Sequence, residues 1–256
     1  MAASIFVSEV VALAAVAIAV TALVGAPTAS AQPGPLAGKV IVVDPGHQLG
    51  NANPKFAKYM AQTVFNGAIT KACNTSGTAT NGGFPEATFT WKVAKKLKRM
   101  LEAAGAKVIM TRSTNSYDAW GPCVWDRAKI ANRAQADAMV SIHADGAAAS
   151  SKGFFAMTPA LIKGWTDDVV AKDRRLANAM IDGMKTAGAP PSNYIGGQLM
   201  VSRDTTSLNF SNVPTVTIET GNMRNSSDAA RMTSAAGQRQ YAKWLYAGLD
   251  NFFGRA

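Results

Sequence analysis

The chain contains only two histidines, and each follows a short apolar run that is typical of a buried strand. His47 ends the segment Val-Asp-Pro-Gly-His after residues 40–43, and His143 ends Met-Val-Ser-Ile-His after Ala138. A neutral imidazole is a common metal ligand, and a strand end is a rigid position from which to present one. A single histidine of this kind is more often structural, but two in matching settings favour a zinc site.

Two glutamates stand in positions from which they could complete such a site. Glu86 follows Pro85 at the start of a predicted helix and lies one turn before Phe89 on its apolar side. Glu219 ends Pro-Thr-Val-Thr-Ile-Glu, a strand-like run with no other charge. Two histidines and one carboxylate around Zn²⁺ make a common hydrolase centre, and a second carboxylate can act as general base. The spacing leaves open which glutamate binds the metal, and Glu86 alone could simply interact with its helix dipole.

The segments that must position these side chains alternate between strand-like and helix-like patterns, which predicts a single α/β domain. We expect a mostly parallel or mixed central sheet flanked by helices, with the zinc site at the carboxyl ends of its strands, because these ends meet at one sheet edge. Strands are predicted at residues 39–44, 107–111, 138–143, 153–157, 199–202 and 214–219, and helices at 85–104, 125–136, 168–187 and in the closing segment.

Residues 48–84 form a long polar segment without clear periodicity, and a connection of this length is usually functional or ordered by another constraint. The only two cysteines, Cys73 and Cys123, are predicted to form a disulfide in an oxidising compartment. That bond would stabilise the fold by about 4 kcal/mol through loop-closure entropy. Two buried free thiols are the alternative.

The first 31 residues are predicted to be a signal peptide rather than part of the fold. Residues 10–25 carry no charge, and Ala29-Ser30-Ala31 forms a small-residue cleavage signature. The stretch is shorter than the roughly 20 apolar residues of a membrane span, so no stable span is expected after cleavage. No basic residue precedes Lys39, which is unusual for a leader, and an uncleaved anchor is the alternative. We expect export to the periplasm, the cell wall or the medium.

The composition is basic, with a formal net charge of +10, and it rises to +11 without the leader because Glu9 is the leader's only charged residue. Such a balance is typical of proteins that meet nucleic acid, anionic membrane or an acidic polymer. For an exported protein the bacterial wall is the available polyanion, and no nucleic acid is expected; the alternative is that the charge only maintains solubility. Cleavage after residue 31 of 256 leaves 225 residues, enough for one domain, which we expect to be monomeric.

Taken in order, the motifs of the chain resemble those of the zinc-dependent N-acetylmuramoyl-L-alanine amidases. The resemblance covers residues 38–256, the predicted catalytic domain. It implies that His47, Glu86 and His143 bind Zn²⁺, that Glu219 is the catalytic base, and that the enzyme hydrolyses the amide between the lactyl group of N-acetylmuramic acid and L-alanine in peptidoglycan or muramyl peptides. The motifs are Val-Asp-Pro-Gly-His, a Glu opening a helix, Thr-Arg, Arg-Ala-Lys-Ile-Ala-Asn, Ser-Ile-His-Ala-Asp and Ile-Glu-Thr-Gly-Asn-Met-Arg-Asn.

Two positions depart from the family pattern, since many members have Asn where Asp145 and Thr90 stand here. Neither departure removes a predicted ligand. Two other functions remain open at this point. One is a different exported zinc amidohydrolase of the wall, such as a carboxypeptidase or a sugar deacetylase, which would release a different product. The other is a non-catalytic wall-binding protein, which we expect to have lost at least one ligand or the base.

Overall fold

The computed structural model describes residues 1–4 and 34–254, so the predicted signal peptide lies almost entirely outside the described residues. The helices and strands of the described residues all belong to one compact unit, Pro33–Ala256. Among the described residues, none of the helices has the length and hydropathy that crossing a bilayer requires.

The main sheet has six strands and is mixed, as the sequence predicts. Strands β4, β1, β5 and β8 lie side by side and parallel, β6 runs antiparallel to β8, and β7 is parallel to β6 at the edge. The remaining two strands, β2 and β3, form a separate antiparallel hairpin. The bounds are β1 Val40–Pro45, β2 Thr63–Phe65, β3 Thr70–Ala72, β4 Lys107–Met110, β5 Ala138–Asp145, β6 Phe155–Pro159, β7 Leu199–Ser202 and β8 Thr215–Asn222.

Helices cover both faces of the sheet, so its central strands are buried on both sides. In β1, Ile41 and Val43 pack into the large core beneath α2, α4 and α7, whereas Val42 points into a smaller core with Ala131 of α3. This explains why the strand is an unbroken apolar run rather than an alternating one. The bounds are α1 Ala57–Met60, α2 Glu86–Ala103, α3 Val124–Arg133, α4 Val170–Thr186, α5 Thr206–Asn209, α6 Ser226–Thr233 and α7 Ala235–Gly254.

The segment 48–84 contains structure that its sequence pattern did not predict. Two short 3₁₀ turns and α1 come first, and the β2–β3 hairpin follows. Each of these helices and strands is only three or four residues long. Elements of this length are too short to show a helical or strand period. The hairpin is attached to the domain through Asn66, whose amide donates to the carbonyl of Asp204 and to Thr206 Oγ1, both at 3.1 Å.

The predicted disulfide between Cys73 and Cys123 is confirmed, with a sequence separation of 50. It joins the segment after the hairpin to the residue that precedes α3. The backbone amide of Val124 also donates to the carbonyl of Cys73 at 2.8 Å. The bond therefore fixes the long polar segment, at the point just after its hairpin, against the start of a helix that supports the site described next.

Candidate metal and catalytic centre

Four side chains that the sequence singled out lie together at one edge of the sheet. His47 follows β1, His143 belongs to β5 and Glu219 belongs to β8, and these three strands are parallel neighbours. His143 and Glu219 are register partners across β5 and β8. Glu86 is the first residue of α2, the helix that follows the long polar segment. The parallel arrangement is what allows residues so distant in sequence to meet.

Glu86 lies between the two histidines. Its Oε2 is 3.2 Å from His47 Nε2, and its Oε1 is 3.0 Å from His143 Nδ1. Backbone amides of Thr78 and Ala144 donate to the same two oxygens at 2.9 and 3.1 Å. Burial alone would raise the pKa of Glu86, but the two histidines outweigh it and hold the pKa well below its usual value. The carboxylate is therefore ionised and fixed in place.

These three residues could hold a metal ion, because one donor atom from each lies within 4.8 Å of the others. Two imidazoles and one carboxylate are a donor set that suits zinc and leaves a coordination position open. His47 Nδ1 lies 2.9 Å from the carbonyl oxygen of Thr75, which can only accept, so Nδ1 carries the proton. With a metal bound, Nε2 would give up the proton that it shares with Glu86 and direct its lone pair towards the cluster, as metal binding requires. The donor set and its orientation thus fit Zn²⁺.

Backbone geometry around the cluster is tight. His47 has a φ of 58°, in the left-handed region that a non-glycine residue adopts only when its surroundings impose it. A Cβ atom on Gly46 would come within 2.3 Å of the His143 ring. We name the residues around His47 that follow β1 the His47 loop. Gly46 is required for the close approach of this loop to β5.

Arg127 of α3 holds the His47 loop in place through hydrogen bonds to its backbone. This fully buried side chain forms an ion pair with Asp44, at 2.7 Å between Nη1 and Oδ1, and donates to the carbonyls of Pro45 and His47, both at 2.8 Å. Burial alone would raise the pKa of Asp44, but Arg127 together with the hydroxyls of Ser141 and Thr111 lowers it. Asp44 therefore remains charged and completes the support.

Arg112 holds the same loop from the side of α2. Its guanidinium donates to the carbonyl of Pro45 at 2.9 Å, to Gln48 Oε1 at 2.9 Å and to the carbonyl of Ala87 at 2.8 Å. Ala87 is next to Glu86, so one side chain links the segments that carry two of the clustered residues. Arg112 and Arg127 belong to two of the motifs described above, but the motifs did not predict that these side chains support the loop. A charged residue on the buried side of a predicted helix was the available signal for Arg127.

Glu219 differs from Glu86 in having few partners. Its Oε2 atom is buried and has no hydrogen-bond partner among the described residues. Burial, together with the negative charges of Glu86 and Asp145, raises the pKa of Glu219 well above its usual value. A carboxyl group whose proton affinity is raised in this way is suited to accept and release a proton.

Two cavities open from this centre, with volumes of about 680 and 600 Å³. We name the first the Arg224 arm and the second the Thr217 arm. Both are lined by His47, His143 and Glu219, so they form two halves of one groove. The Arg224 arm is also lined by residues 75–79, Leu49, Ala52, Pro85, Glu86, residues 144–146 and Arg224. The Thr217 arm is also lined by residues 70–72, Asn74, Thr75, Val124, Met157, residues 204–207 and Thr217.

The two residues that depart from the family pattern both contact this centre. Thr90 donates from Oγ1 to the carbonyl of Gly46 at 2.9 Å. Asp145 accepts a hydrogen bond of 2.9 Å from the hydroxyl of Tyr194. Neither residue belongs to the three-residue cluster, so the departures leave the donor set intact. Tyr194 was not predicted as a neighbour of the site, because it lies in an irregular segment without a motif.

Comparisons with known proteins agree with the geometry. A sequence profile described as N-acetylmuramoyl-L-alanine amidase matches residues 41–251. The N-acetylmuramoyl-L-alanine amidase Rv3717 of Mycobacterium tuberculosis is 38% identical over 228 residues, which are 88% of this chain and 90% of that protein.

Solved structures give the same result. The crystal structure of the N-acetylmuramyl-L-alanine amidase Ami1 from Mycobacterium smegmatis superimposes with a TM-score of 0.78, at 35% identity, over 86% of this chain and 99% of that one. The apo form of Ami1 from Mycobacterium abscessus gives 0.77, at 38% identity, over 85% and 99% of the two chains. The resemblance drawn from the ordered motifs is thus confirmed: the chain belongs to the N-acetylmuramoyl-L-alanine amidase family and is a peptidoglycan amide hydrolase.

Proposed function

We propose that the enzyme binds one Zn²⁺ through His47, Glu86 and His143 and uses Glu219 as its general base. The observation that carries this proposal is the contrast between the two glutamates. Glu86 lies between the two histidines and is held by two backbone amides, whereas Glu219 faces the same cavity with an unpaired oxygen. A ligand must be fixed, and a base must be free to exchange a proton.

When bound at this site, Zn²⁺ lowers the pKa of water and polarises the scissile carbonyl group. Glu219 accepts the proton that the attacking water loses as its oxygen bonds to the lactyl carbonyl carbon. The same carboxyl then gives this proton to the amide nitrogen as the carbon–nitrogen bond breaks. The products are the lactyl carboxylate of N-acetylmuramic acid and a peptide with a free amino group on L-alanine.

The groove supports a substrate that extends on both sides of the bond that is cleaved. Glu219 and both histidines line the two arms at their junction. We therefore place the scissile amide at this junction, with the muramyl group in one arm and the stem peptide in the other. Both the wall polymer and soluble muramyl peptides present such a bond.

We also propose that the chain is exported and acts at the wall as a monomer. The support for export is the leader-like sequence of residues 1–31 and the pairing of both cysteines, since disulfides persist in oxidising compartments. Residues 38–256 form the catalytic domain in this proposal, which a profile match over 41–251 supports. Detection of a mature protein that begins after Ala31 in a cell-wall or medium fraction would test export.

The function is tested by incubating the zinc-loaded enzyme with purified peptidoglycan and with a soluble muramyl peptide. We expect new amino groups on L-alanine, loss of activity with a chelator, and recovery when Zn²⁺ is added back. Mass spectrometry separates this reaction from the two related ones. A carboxypeptidase would release a terminal amino acid and a deacetylase would release acetate, and either product in place of the muramyl–alanine cleavage would overturn the proposal.

A further inference from the structure

The two arms of the groove differ in their charged groups. In the Thr217 arm, Lys71 and Asp204 lie 3.2 Å apart and neutralise each other, and most of the other lining groups are hydroxyls, amides or apolar side chains. The Arg224 arm contains a cation that no described carboxylate neutralises. The two halves of the substrate also differ in this way, because a sugar is neutral and a stem peptide carries free carboxylates.

The backbone of Arg224 is held by a hydrogen bond, whereas its guanidinium forms no ion pair with a described residue. It follows β8, and its amide donates at 2.9 Å to Oδ1 of Asn222, whose side chain in turn donates to three carbonyls of residues 147–151. Among the described residues, the guanidinium makes one hydrogen bond, from Nη1 to Asn81 Oδ1 at 3.1 Å. Asn81 belongs to the long polar segment, which also contributes residues 75–79 to the lining of this arm.

A guanidinium has five N–H donors, and four of those on Arg224 have no partner among the described residues. The planar arrangement of these donors matches the two oxygens of a carboxylate. Apart from Arg224 and the residues of the centre itself, the charged residue that lines this arm is Asp145. Its carboxylate already accepts hydrogen bonds from the hydroxyl of Tyr194 and the backbone amide of Gly146. Arg224 is therefore the group of this arm that remains available to a ligand.

We propose that the Arg224 arm receives the stem peptide and that Arg224 binds the free carboxylate of the residue that follows L-alanine. The muramyl sugar then occupies the Thr217 arm, whose hydroxyl groups suit a neutral ligand. This inference rests on the proposed function, and it makes Arg224 a determinant of specificity rather than of the chemical step. It predicts that the enzyme distinguishes an acidic stem peptide from its amidated form.

The test uses two soluble substrates that differ in one group, N-acetylmuramoyl-L-alanyl-D-glutamate and its isoglutamine analogue, in which an amide replaces the α-carboxylate. For the zinc-loaded parent enzyme we expect kcat/KM to be on the order of tenfold higher with the acid, because a charge-assisted pair at a partly exposed site contributes at about that level. Arg224→Gln should abolish the preference by raising KM for the acid, with kcat unchanged, because the contact is remote from the reacting bond.

Two controls make the result specific. Arg203→Gln removes one positive charge from an exposed position outside both arms and should leave the preference intact. The amide substrate also reports on folding, since Arg224→Gln with zinc bound should still cleave it and should lose far more kcat/KM with the acid than with the amide. Equal cleavage of both substrates by the parent enzyme, or a preference that survives in Arg224→Gln, would overturn the inference. Failure to cleave either substrate, with zinc bound, would instead overturn the proposed function and the inference with it.

Discussion

The two sides of the centre differ in how completely their buried polar atoms are paired. On the side of the His47 loop, Asp44, Arg112 and Arg127 each make several hydrogen bonds, and both oxygens of Glu86 have partners. On the side of β8, Glu219 Oε2 and Thr217 Oγ1 are buried without a hydrogen-bond partner in the part of the chain that the structure describes. The proposed ligand Glu86 and the proposed base Glu219 thus differ in how completely their carboxylate oxygens are paired.

This difference is what the proposed chemistry requires of each side. Hydrogen bonds to a carboxylate stabilise its ionised form and fix its direction, which suits a ligand but weakens a base. Burial, together with the charges of Glu86 and Asp145, raises the pKa of Glu219, and a cation held by the other three residues would bring that pKa back towards the range in which a base works. Of the buried side-chain atoms without a partner among the described residues, those of Thr217 and Glu219 both lie on β8.

The sharpest test of this division replaces, one at a time, the proposed base and each of the three proposed ligands. Glu219→Gln should retain zinc and lose about 10²–10⁴-fold in kcat, since that is the usual contribution of a general base. His47→Ala and His143→Ala should lose both zinc and activity, and Glu86→Ala should bind zinc more weakly. Elemental analysis and turnover on a soluble muramyl peptide measure these effects.

Two results would contradict the assignment. Full zinc occupancy in both histidine variants would remove them as ligands. A zinc-free Glu219→Gln protein beside a loaded but inactive Glu86→Ala protein would mean that the two glutamates have the opposite roles.

The paired side can be tested by removing one member of its buried ion pair. Arg127→Met leaves Asp44 buried without its cation and should lower the free energy of unfolding by about 3–5 kcal/mol. The matched control is Lys129→Met on the same helix, because Lys129 pairs with Asp126 at the surface and such pairs contribute about 0–1 kcal/mol. Chemical denaturation measures both. Similar losses in the two variants would show that the support beneath His47 is not specific.

The disulfide links the long polar segment to the start of α3, the helix that carries Arg127. Replacing both cysteines with serine should lower the free energy of unfolding by about 4 kcal/mol, the loop-closure value for a separation of 50. We expect faster hydrogen exchange in residues 48–84 and a zinc content that stays at one per chain, because neither cysteine contacts the metal cluster. Titration of two free thiols in the native protein would contradict the bond.

The smallest effect concerns Asp173, a buried carboxyl beside the start of β8 with one oxygen that has no partner among the described residues. Asp173 accepts a hydrogen bond of 2.7 Å from the amide of Thr215, but its Oδ2 has no partner among the described residues, and burial raises its pKa to about 8. Asp168 nearby raises this pKa slightly and Lys172 opposes it. Unlike Glu219, Asp173 belongs to α4, contacts the first residue of β8 and lines neither arm of the groove.

Between pH 3.8 and about 8 the unfolded chain ionises at this position while the folded chain does not, so stability contributed by Asp173 is lost as pH rises through that window. Asp173→Asn should match the parent below pH 4 and be modestly more stable at pH 8, where the new amide still lacks one partner. Thermal unfolding across this range, with the exposed Asp250→Asn as control, measures the change. A parent and variant with the same pH slope would contradict the assignment.

Much of the centre could be predicted because its residues stand beside strong local signals. His47 and His143 follow apolar runs, and Glu219 ends an uncharged run in which Thr alternates with Val and Ile; all three patterns predict strands. Glu86 follows a proline that opens a helix with a clear apolar side. The parallel order of β1, β5 and β8 then brings the strand ends together, as an alternating α/β pattern implies.

The support around the centre could not be predicted in the same way. Thr75, which orients His47, lies in a segment whose elements are too short to have a period. The contacts of Arg112 and Arg127 with backbone carbonyls depend on three-dimensional proximity that no spacing encodes. The antiparallel β6 was predicted as a strand but not in direction, because direction depends on how the chain crosses the sheet.

The position of β8 also makes the carboxyl-terminal part of the chain necessary for assembling the centre. β8 lies in the middle of the sheet and joins β4, β1 and β5 to β6 and β7, two groups of strands that do not pair with each other. Of the four residues at the centre, Glu219 is the last in the sequence. A chain that stops before β8 would therefore lack the proposed base, together with the strand that pairs with both β5 and β6.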